Sequence, residues 1–324
     1  MATSRSRIGS GEPIDALLGA RDRRYFGNGF RQGVVRLRRA GRSFGVGGDS
    51  RFVGLGTVGY SAPWSVKASG PQNPHVSTID AYLLAISAAS SLLGPRGTGA
   101  DQPLGAAWVR RCAIKAGGAP IEDGLDRIPV SATWAHASTD PAARVLQVSV
   151  TVGSMLVTVD VDPGGGVRAP SAVDRPRTYR TTVSDLVDVE VAPGSAEVSA
   201  TVHYSTGQGE EDLFQEIESR YPESLTFAEA FADMLQLGQV GLYAMDGLAR
   251  ADSDTLWMRN TLFEATSPFR PRVQGDRVTA EIRSPRVVTM RGRRWRIATL
   301  RSRRASMALS CSVAHALPEL RRDR

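Results

Sequence analysis

Two segments of the chain carry helical signals within a background of alternating strands, and both open with the same device. Ser77-Thr-Ile-Asp80 and Thr226-Phe-Ala-Glu229 each set a hydroxyl three residues before an acid. This is the spacing of a capping box, in which the hydroxyl accepts a free backbone N–H and the acid reaches back to the cap. The pattern predicts helices over Ser77–Leu93, stopped by Gly94-Pro95, and over Thr226–Met245, ending near Gly247. The two starts lie 149 residues apart, and so do Trp108-Val-Arg110 and Trp257-Met-Arg259, each at the head of the strand after its helix. Asp126-Arg127-Ile128 and Asp276-Arg277-Val278 follow at a spacing of 150. One offset with a single slip predicts an internal duplication.

Around the helices the hydrophobic period is two. Leu146, Val148, Val150 and Val152 alternate with Gln147, Ser149 and Thr151; after a tight turn at Gly153-Ser154, Met155, Val157, Val159 and Val161 continue the alternation. Such runs are half-buried antiparallel strands. Further strands are expected at about 107–115, 128–136, 183–191, 196–204, 255–265, 277–283, 293–301 and 305–315. Each half then reads as strand or strands, one long helix and about four antiparallel strands. A curved sheet wrapped round a single helix is the plan of a hotdog domain, so the expected fold is α+β, a tandem or double hotdog. The expected halves are residues 1–165 and 175–324, joined by the Pro/Gly-rich stretch 163–176 and paired through sheets or helices as a built-in dimer. Whether that pseudo-dimer pairs again as a homodimer is left open.

Composition narrows the partners. The chain has 324 residues, 41 % hydrophobic, with no run approaching the ~18 apolar residues of a membrane span. Its start, Met-Ala-Thr-Ser-Arg-Ser-Arg, does not lead into an apolar segment. A cytoplasmic protein without a membrane partner is expected. Cys112 and Cys311, the two cysteines, sit in apolar runs and are expected to be buried thiols, neither disulfide nor metal ligands. The net charge of +7 rests almost wholly on arginine, since Lys67 and Lys115 are the only lysines. The arginines concentrate at Arg21–Arg42 and Arg283–Arg304. Nucleic acid, an acidic protein or a phosphorylated small molecule would each account for them. No nucleic acid is expected, because no zinc finger, helix-turn-helix or aromatic RNA-binding pattern accompanies the charge. In the second cluster Arg294 and Arg296 alternate with Trp295 and Ile297, as on a solvated strand face.

Two polar clusters are candidates for chemistry. The first, Leu18-Gly-Ala-Arg21-Asp22-Arg23-Arg24-Tyr25-Phe26-Gly27-Asn28-Gly29-Phe30, suits a tightly bent loop presenting Arg21, Arg23, Arg24 and Asn28 to an anionic group; it suits a salt-bridged turn equally well. The second, Pro63 to Asp80, brings Trp64, Lys67, His75, Ser77 and Asp80 to the start of the first helix. Free N–H groups and the positive end of the helix dipole there can hold a thioester carbonyl as it becomes an oxyanion, with neutral His75 as general base. Asp80 has a competing, purely structural role as the acid of the capping box. His136 and His315 continue inward-facing apolar alternations and His203 an outward one, and no spacing matches a metal site, so no metal is expected. In the second helix Phe227, Phe231, Met234, Leu235, Gly238 and Leu242 form the core stripe. Glu229, Asp233, Gln236 and Gln239 occupy the other face, either solvated or lining a pocket between the halves. Gly45-Val-Gly47-Gly48 has no helix after it and is not a dinucleotide loop; no cofactor is expected.

Leu18–Phe30, Trp64-Ser-Val-Lys-Ala-Ser-Gly70, Pro74–Asp80 and Trp108-Val-Arg-Arg together resemble the conserved blocks of the avirulence D (AvrD) family over roughly the first 120 residues. The resemblance implies a secondary-metabolite enzyme of hotdog type, which condenses a 3-oxoacyl thioester with a ketose or triose (phosphate) to give a syringolide-like butenolide. It implies as partners an acyl carrier protein or coenzyme A thioester and a small sugar or triose phosphate. On that reading His75 activates the sugar hydroxyl and the Ser77–Asp80 helix start holds the oxyanion. Asp80, or Glu229 or Asp233, serves the ring-closing condensation, while Arg21, Arg23, Arg24, Asn28, Trp64, Lys67, Ser77 and Gln236 hold substrate. Two other readings remain. One is a hotdog dehydratase or thioesterase, although the dehydratase helix motif Asp-x-x-x-Gln is broken here by Leu84. The other is a non-catalytic lactone-binding module, which would not need His75.

Overall fold

The computed structural model describes residues 10–44, 50–60, 64–93, 106–136, 145–164, 179–191, 196–207, 217–221 and 223–318. The expected linker falls almost wholly outside them, as does the Gly45–Gly48 run. A short strand β1 (Ser10–Glu12) and helix α1 (Ile14–Leu18) precede tight helical turns over Arg21–Arg23 and Tyr25–Gly29 and the single-turn helix α2 (Phe30–Gln32). Strands β2 (Val34–Phe44) and β3 (Ser50–Gly59) and the ribbon of β4 (Val66–Lys67) and β5 (Gly70–Pro71) lead to the long helix α3 (Thr78–Leu93). Then come β6 (Trp108–Lys115), β7 (Ile128–His136), β8 (Leu146–Val152) and β9 (Met155–Asp162). The same succession follows again: β10 (Thr182–Val191), β11 (Glu197–Thr206), helix α4 (Phe227–Asp246), β12 (Trp257–Ala265), β13 (Asp276–Met290), β14 (Arg293–Arg304) and β15 (Met307–Ala316).

All the long strands join one antiparallel sheet of thirteen, in the order β1-β10-β11-β13-β14-β15-β12-β6-β9-β8-β7-β3-β2. Outward from its centre, β6-β9-β8-β7-β3-β2 on one side has the same succession as β12-β15-β14-β13-β11-β10 on the other. Helix α3 packs on β2, β3 and β6–β9, and α4 on β10, β11, β13 and β14. Two helices, each wrapped by half of a continuous curved sheet, make the molecule a double hotdog whose halves join through β6 and β12.

The local reasons are legible at both helices. Asp80 N–H donates to Ser77 Oγ at 3.1 Å and Ser77 N–H to Asp80 Oδ2 at 2.9 Å. Glu229 N–H donates to Thr226 Oγ1 at 3.2 Å and Thr226 N–H to Glu229 Oε2 at 2.9 Å. Both capping boxes are therefore closed. The core stripe of α4, Phe227, Phe231, Met234, Leu235 and Leu242, is buried. Gly238 and Gly241 let the helix press onto the sheet: a Cβ at Gly238 would meet Leu300 at 2.4 Å, and one at Gly241 would meet Ile282 at 2.5 Å. Glycine costs a helix interior roughly 0.5–1 kcal/mol against alanine, which this close packing offsets.

Residues 10–32, counted above with the first half, lie against the second. β1 pairs with β10, Arg31 Nε donates to Thr182 O at 2.8 Å, Arg21 pairs with Asp185, and the Phe26 ring meets Phe231. The C-terminal arginines divide. Arg283, Arg301 and Arg303 are exposed as expected, but Arg304 is buried against Asp233 at 2.9 Å and Arg296 pairs with Asp246. Those two are structural, because each neutralises a carboxylate that α4 carries into the interior. Cys112, Cys311 and His315 are buried, with His315 Nε2 3.0 Å from Asp246; His203 is exposed, and the His136 side chain lies outside the described residues. No described helix is long and apolar enough to cross a membrane.

Candidate functional site

The segment feeding α3 and the segment leaving α4 are stitched together. Ala68 N–H donates to Ala251 O at 3.0 Å, Lys67 Nζ to Ser253 O at 2.9 Å, and Arg250 to Val66 O at 3.0 Å. At this junction His75 lies between two indoles, 4.2 Å from the Trp64 ring and 5.4 Å from that of Trp257; Tyr25, from the arm formed by residues 10–32, stacks on Trp64 at 5.0 Å. His75 Nδ1 is 3.2 Å from Asn73 O. A carbonyl only accepts, so the neutral ring carries its proton on Nδ1 and leaves the Nε2 lone pair to take one. Burial pushes the His75 pKa below its ordinary 6.5, against opposing pulls from the Asn73 carbonyl, Asp80 and Glu122. The imidazole is thus neutral at pH 7, the state a general base needs.

Two cavities meet at this histidine. One, about 40 Å³, is lined by Arg24, Tyr25, Trp64, Lys67, His75, Ser77, Gln236, Gln239 and Arg250 among others. A water needs roughly 10–15 Å³ by this measure, so the space suits a few waters or one small polar group. The other, about 440 Å³, is lined by His75, Val76, Ser77, Ile121, Met155, Trp257, Met258 and Trp295 among others, mostly apolar groups. His75 and Ser77 border both cavities.

Of the expected site residues, Arg24, Trp64, Lys67, His75, Ser77 and Gln236 come together on the smaller cavity. The polar face of α4 is not solvated there: Gln236 and Gln239 are buried and line it. The others lie elsewhere. Asp80 borders neither cavity; its Oδ2 is taken by Ser77 N–H and by Tyr60 Oη–H at 2.6 Å, and burial raises its pKa. Glu229 is clamped by Arg272 at 2.9 and 3.0 Å, and although burial opposes it, that guanidinium holds the carboxyl below its usual range. Asp233 accepts from Ser184 Oγ at 2.7 Å and from Arg304 at 2.9 Å, with burial the dominant influence and raising its pKa. Glu229 and Asp233 have both oxygens engaged, each with a buried arginine, and Asp80 has its Oδ2 engaged twice, bonds that anchor the fold at all three positions. Arg21 is engaged by Asp15 and Asp185, the Arg23 side chain is exposed, and Asn28 sits in the turn; none of them borders either cavity.

The sequence reading missed Arg250. It is buried and donates to Ser65 Oγ at 2.7 Å as well as to Val66 O. Its one signal is position, in the short turn between α4 and the Trp257 strand. Among the described residues no group of three His, Cys, Asp or Glu converges as a metal site.

The family model for Pseudomonas avirulence D protein (AvrD) matches residues 10–318. The chain belongs to the avirulence D family. The match takes in the arm, the junction and both wrapped helices, so the cavity-lining residues of both halves lie inside the family's own span. No curated protein matches the chain. Among solved structures it is similar to acyl-CoA thioesterase II TesB2 from Mycobacterium marinum, at 10% identity and a TM-score of 0.42, covering 86% of this chain and 97% of that one. It is also similar to a conserved hot dog fold protein from Alicyclobacillus acidocaldarius, at 12% identity and a TM-score of 0.36, covering 88% and 97%. The dehydratase domain from the CurF module of curacin polyketide synthase matches at 10% identity and a TM-score of 0.37, covering 86% and 95%.

Proposed function

We propose that this avirulence D family member acts on a 3-oxoacyl thioester, transferring the acyl group to a hydroxyl of a ketose or triose and then closing the ester to a butenolide. The single observation that carries the reading is the position of His75 and Ser77 on the wall between a larger apolar cavity and a smaller cationic one. On this reading the acyl chain and thioester occupy the first, and one polar end of the acceptor enters the second. His75 Nε2 takes the proton of the attacking hydroxyl, the new C–O bond forms as the C–S bond breaks, and the proton passes to the departing thiolate. The N–H of Thr78, which the capping box leaves unused and which belongs to a residue lining the larger cavity, serves the developing oxyanion in this reading, with the α3 dipole behind it. Ring closure joins the carbon between the two carbonyls to the ketone carbon of the esterified sugar and expels that ketone's oxygen as water, and it needs a base to take the proton from the first carbon. Asp80, Glu229 and Asp233 border neither cavity whereas His75 borders both, which supports His75 as the base of both steps in this reading. The thioester arrives on coenzyme A or on an acyl carrier protein.

The test is incubation of the purified chain with a 3-oxoacyl thioester and candidate ketoses, following thiol release and products by mass spectrometry. An ester or butenolide supports the reading. Free 3-oxo acid alone would make the chain a thioesterase, and the absence of thiol release would leave a binding module.

A further inference from the structure

Arg250 is a buried cation that no carboxylate among the described residues neutralises. Among the described residues it has no ion pair, and burial lowers its pKa with only Tyr243 opposing. Arg24 lines the same cavity, buried, with an ion pair to Asp15, a bond to Gln236 Oε1 at 2.9 Å, and an Nε that finds no hydrogen-bond partner among the described residues. Lys67 adds a third positive charge, its ammonium already directed at Ser253 and Asp254 oxygens. Burial is the main cause that lowers Arg24 to about 10 and Lys67 to about 8, and the charge of Arg250 adds to the lowering of both. Burying like charges round a space this small is costly unless something negative fills it. Each guanidinium carries five N–H donors; Arg250 spends its own on Val66 O, Ser65 Oγ and, at 3.5 Å, Arg23 O, and Arg24 spends its own on Gln236 and Asp15, so both keep donors in reserve.

Resting on the acyl-transfer reading above, we infer that Arg250 and Arg24 form an oxyanion pocket for the phosphate monoester of a phosphorylated ketose or triose, with Lys67 supplying charge. The monoester is favoured over the diphosphate of coenzyme A by the small volume and by the place of the cavity, across His75 from the acyl side. Bound there, the phosphate presents the hydroxyl carbons of its sugar to His75. Arg250 is then a specificity-determining residue contributed by the second half to chemistry carried by the first.

Calorimetric titration of the full chain with dihydroxyacetone phosphate, dihydroxyacetone, inorganic phosphate and coenzyme A tests the inference. The phosphate ester is expected to bind at least about tenfold tighter than the unphosphorylated triose, with inorganic phosphate competing. Arg250→Lys, which keeps the charge and loses the fork, is expected to weaken that binding at least about fivefold, and Arg250→Met to abolish it. Equal affinity for the two trioses, binding of coenzyme A alone, or unchanged binding in Arg250→Lys would overturn it. Should Arg250→Met fail to fold, amine-directed labelling of Lys67 in the unaltered chain gives a second readout. Protection by dihydroxyacetone phosphate supports the pocket, and no protection refutes it. Equal turnover of a ketose and its phosphate ester would overturn the pocket while leaving acyl transfer standing. Phosphate-selective binding without any thiol release would do the reverse.

Discussion

Ala113 and Leu262 are partners across the central strand pair, and they are also equivalent positions of the repeat, 149 residues apart. Register on either side obeys the same relation: Lys115 faces Asn260 and Arg111 faces Glu264. A local twofold axis therefore passes through this pair, as it would through an isologous dimer. The axis carries His75 onto Ser224, Ser77 onto Thr226 and Asp80 onto Glu229. The caps survive in both halves, but the histidine does not. Ser224 Oγ donates to Pro268 O at 2.8 Å, and beside it Arg270 and Glu218 form a buried ion pair at 3.0 Å. One half kept its polar space and the other filled it with charge that neutralises itself.

His75→Ala is expected to lower turnover by about 10²–10⁴-fold with the circular dichroism spectrum unchanged, the usual contribution of a general base. The acid limb of the rate profile reports the same group. Only the neutral ring accepts a proton, and its pKa is held below 6.5, so activity is expected to persist at pH 6.5 and to fail at lower pH. A limb at or above 6.5 would assign the base elsewhere.

Asp80→Ala removes a cap and leaves Ser77 N–H and the Tyr60 hydroxyl without their acceptor. A loss of about 2–4 kcal/mol in urea unfolding is expected, with turnover at 20 °C within about tenfold of the parent. Complete inactivity in a folded Asp80→Asn chain would restore Asp80 to the chemistry.

Asp233→Ala leaves the buried Arg304 guanidinium with only the longer pairing to Asp276, at 3.5 Å. A destabilisation of about 3–5 kcal/mol is expected, and Asp233→Ala with Arg304→Leu together should cost less than the sum of the two. Activity in each variant should track the folded fraction. Additive losses would show that the two residues do not act as a pair.

Lys67 holds its proton less tightly in the folded chain, with a pKa of about 8 against an ordinary 10.5. The unfolded chain therefore binds more protons between those values, and stability from this group is expected to rise as pH climbs from 8 towards 10.5. Comparing urea midpoints of the parent and Lys67→Met across that range isolates it: the parent should gain on the variant. Parallel curves would contradict the shift.

The two helices, their caps and the strands of both wrapped halves were legible because period and punctuation agreed there. The strands β2 and β3 were not. β2 interrupts its apolar positions with Arg36, Arg38 and Arg39, and β3 sets Gly54 and Gly56 where side chains would mark the alternation; a Cβ at Gly56 would meet Leu84 at 2.9 Å. The polar face of α4 read as solvent-facing or pocket-lining, and both readings were needed. Gln236 and Gln239 line the cavity, whereas Glu229 and Asp233 find Arg272, Ser184 and Arg304 at sequence separations no local pattern reports. Arg250 was invisible for the same reason. A lone arginine in a turn acquires meaning only once Ser65 and Val66 are seen beside it.

The arm of residues 10–32 and the β6–β12 seam have one more consequence. A composite site shared by separate chains vanishes on dilution below their dissociation constant, because its assembly is bimolecular. Here Arg24 reaches Gln236 and Arg250 reaches Ser65 within a single covalent molecule, so the cavity is present at any concentration. Specific activity should hold constant to the lowest enzyme level that can be assayed, and a cell could run such chemistry on very few copies.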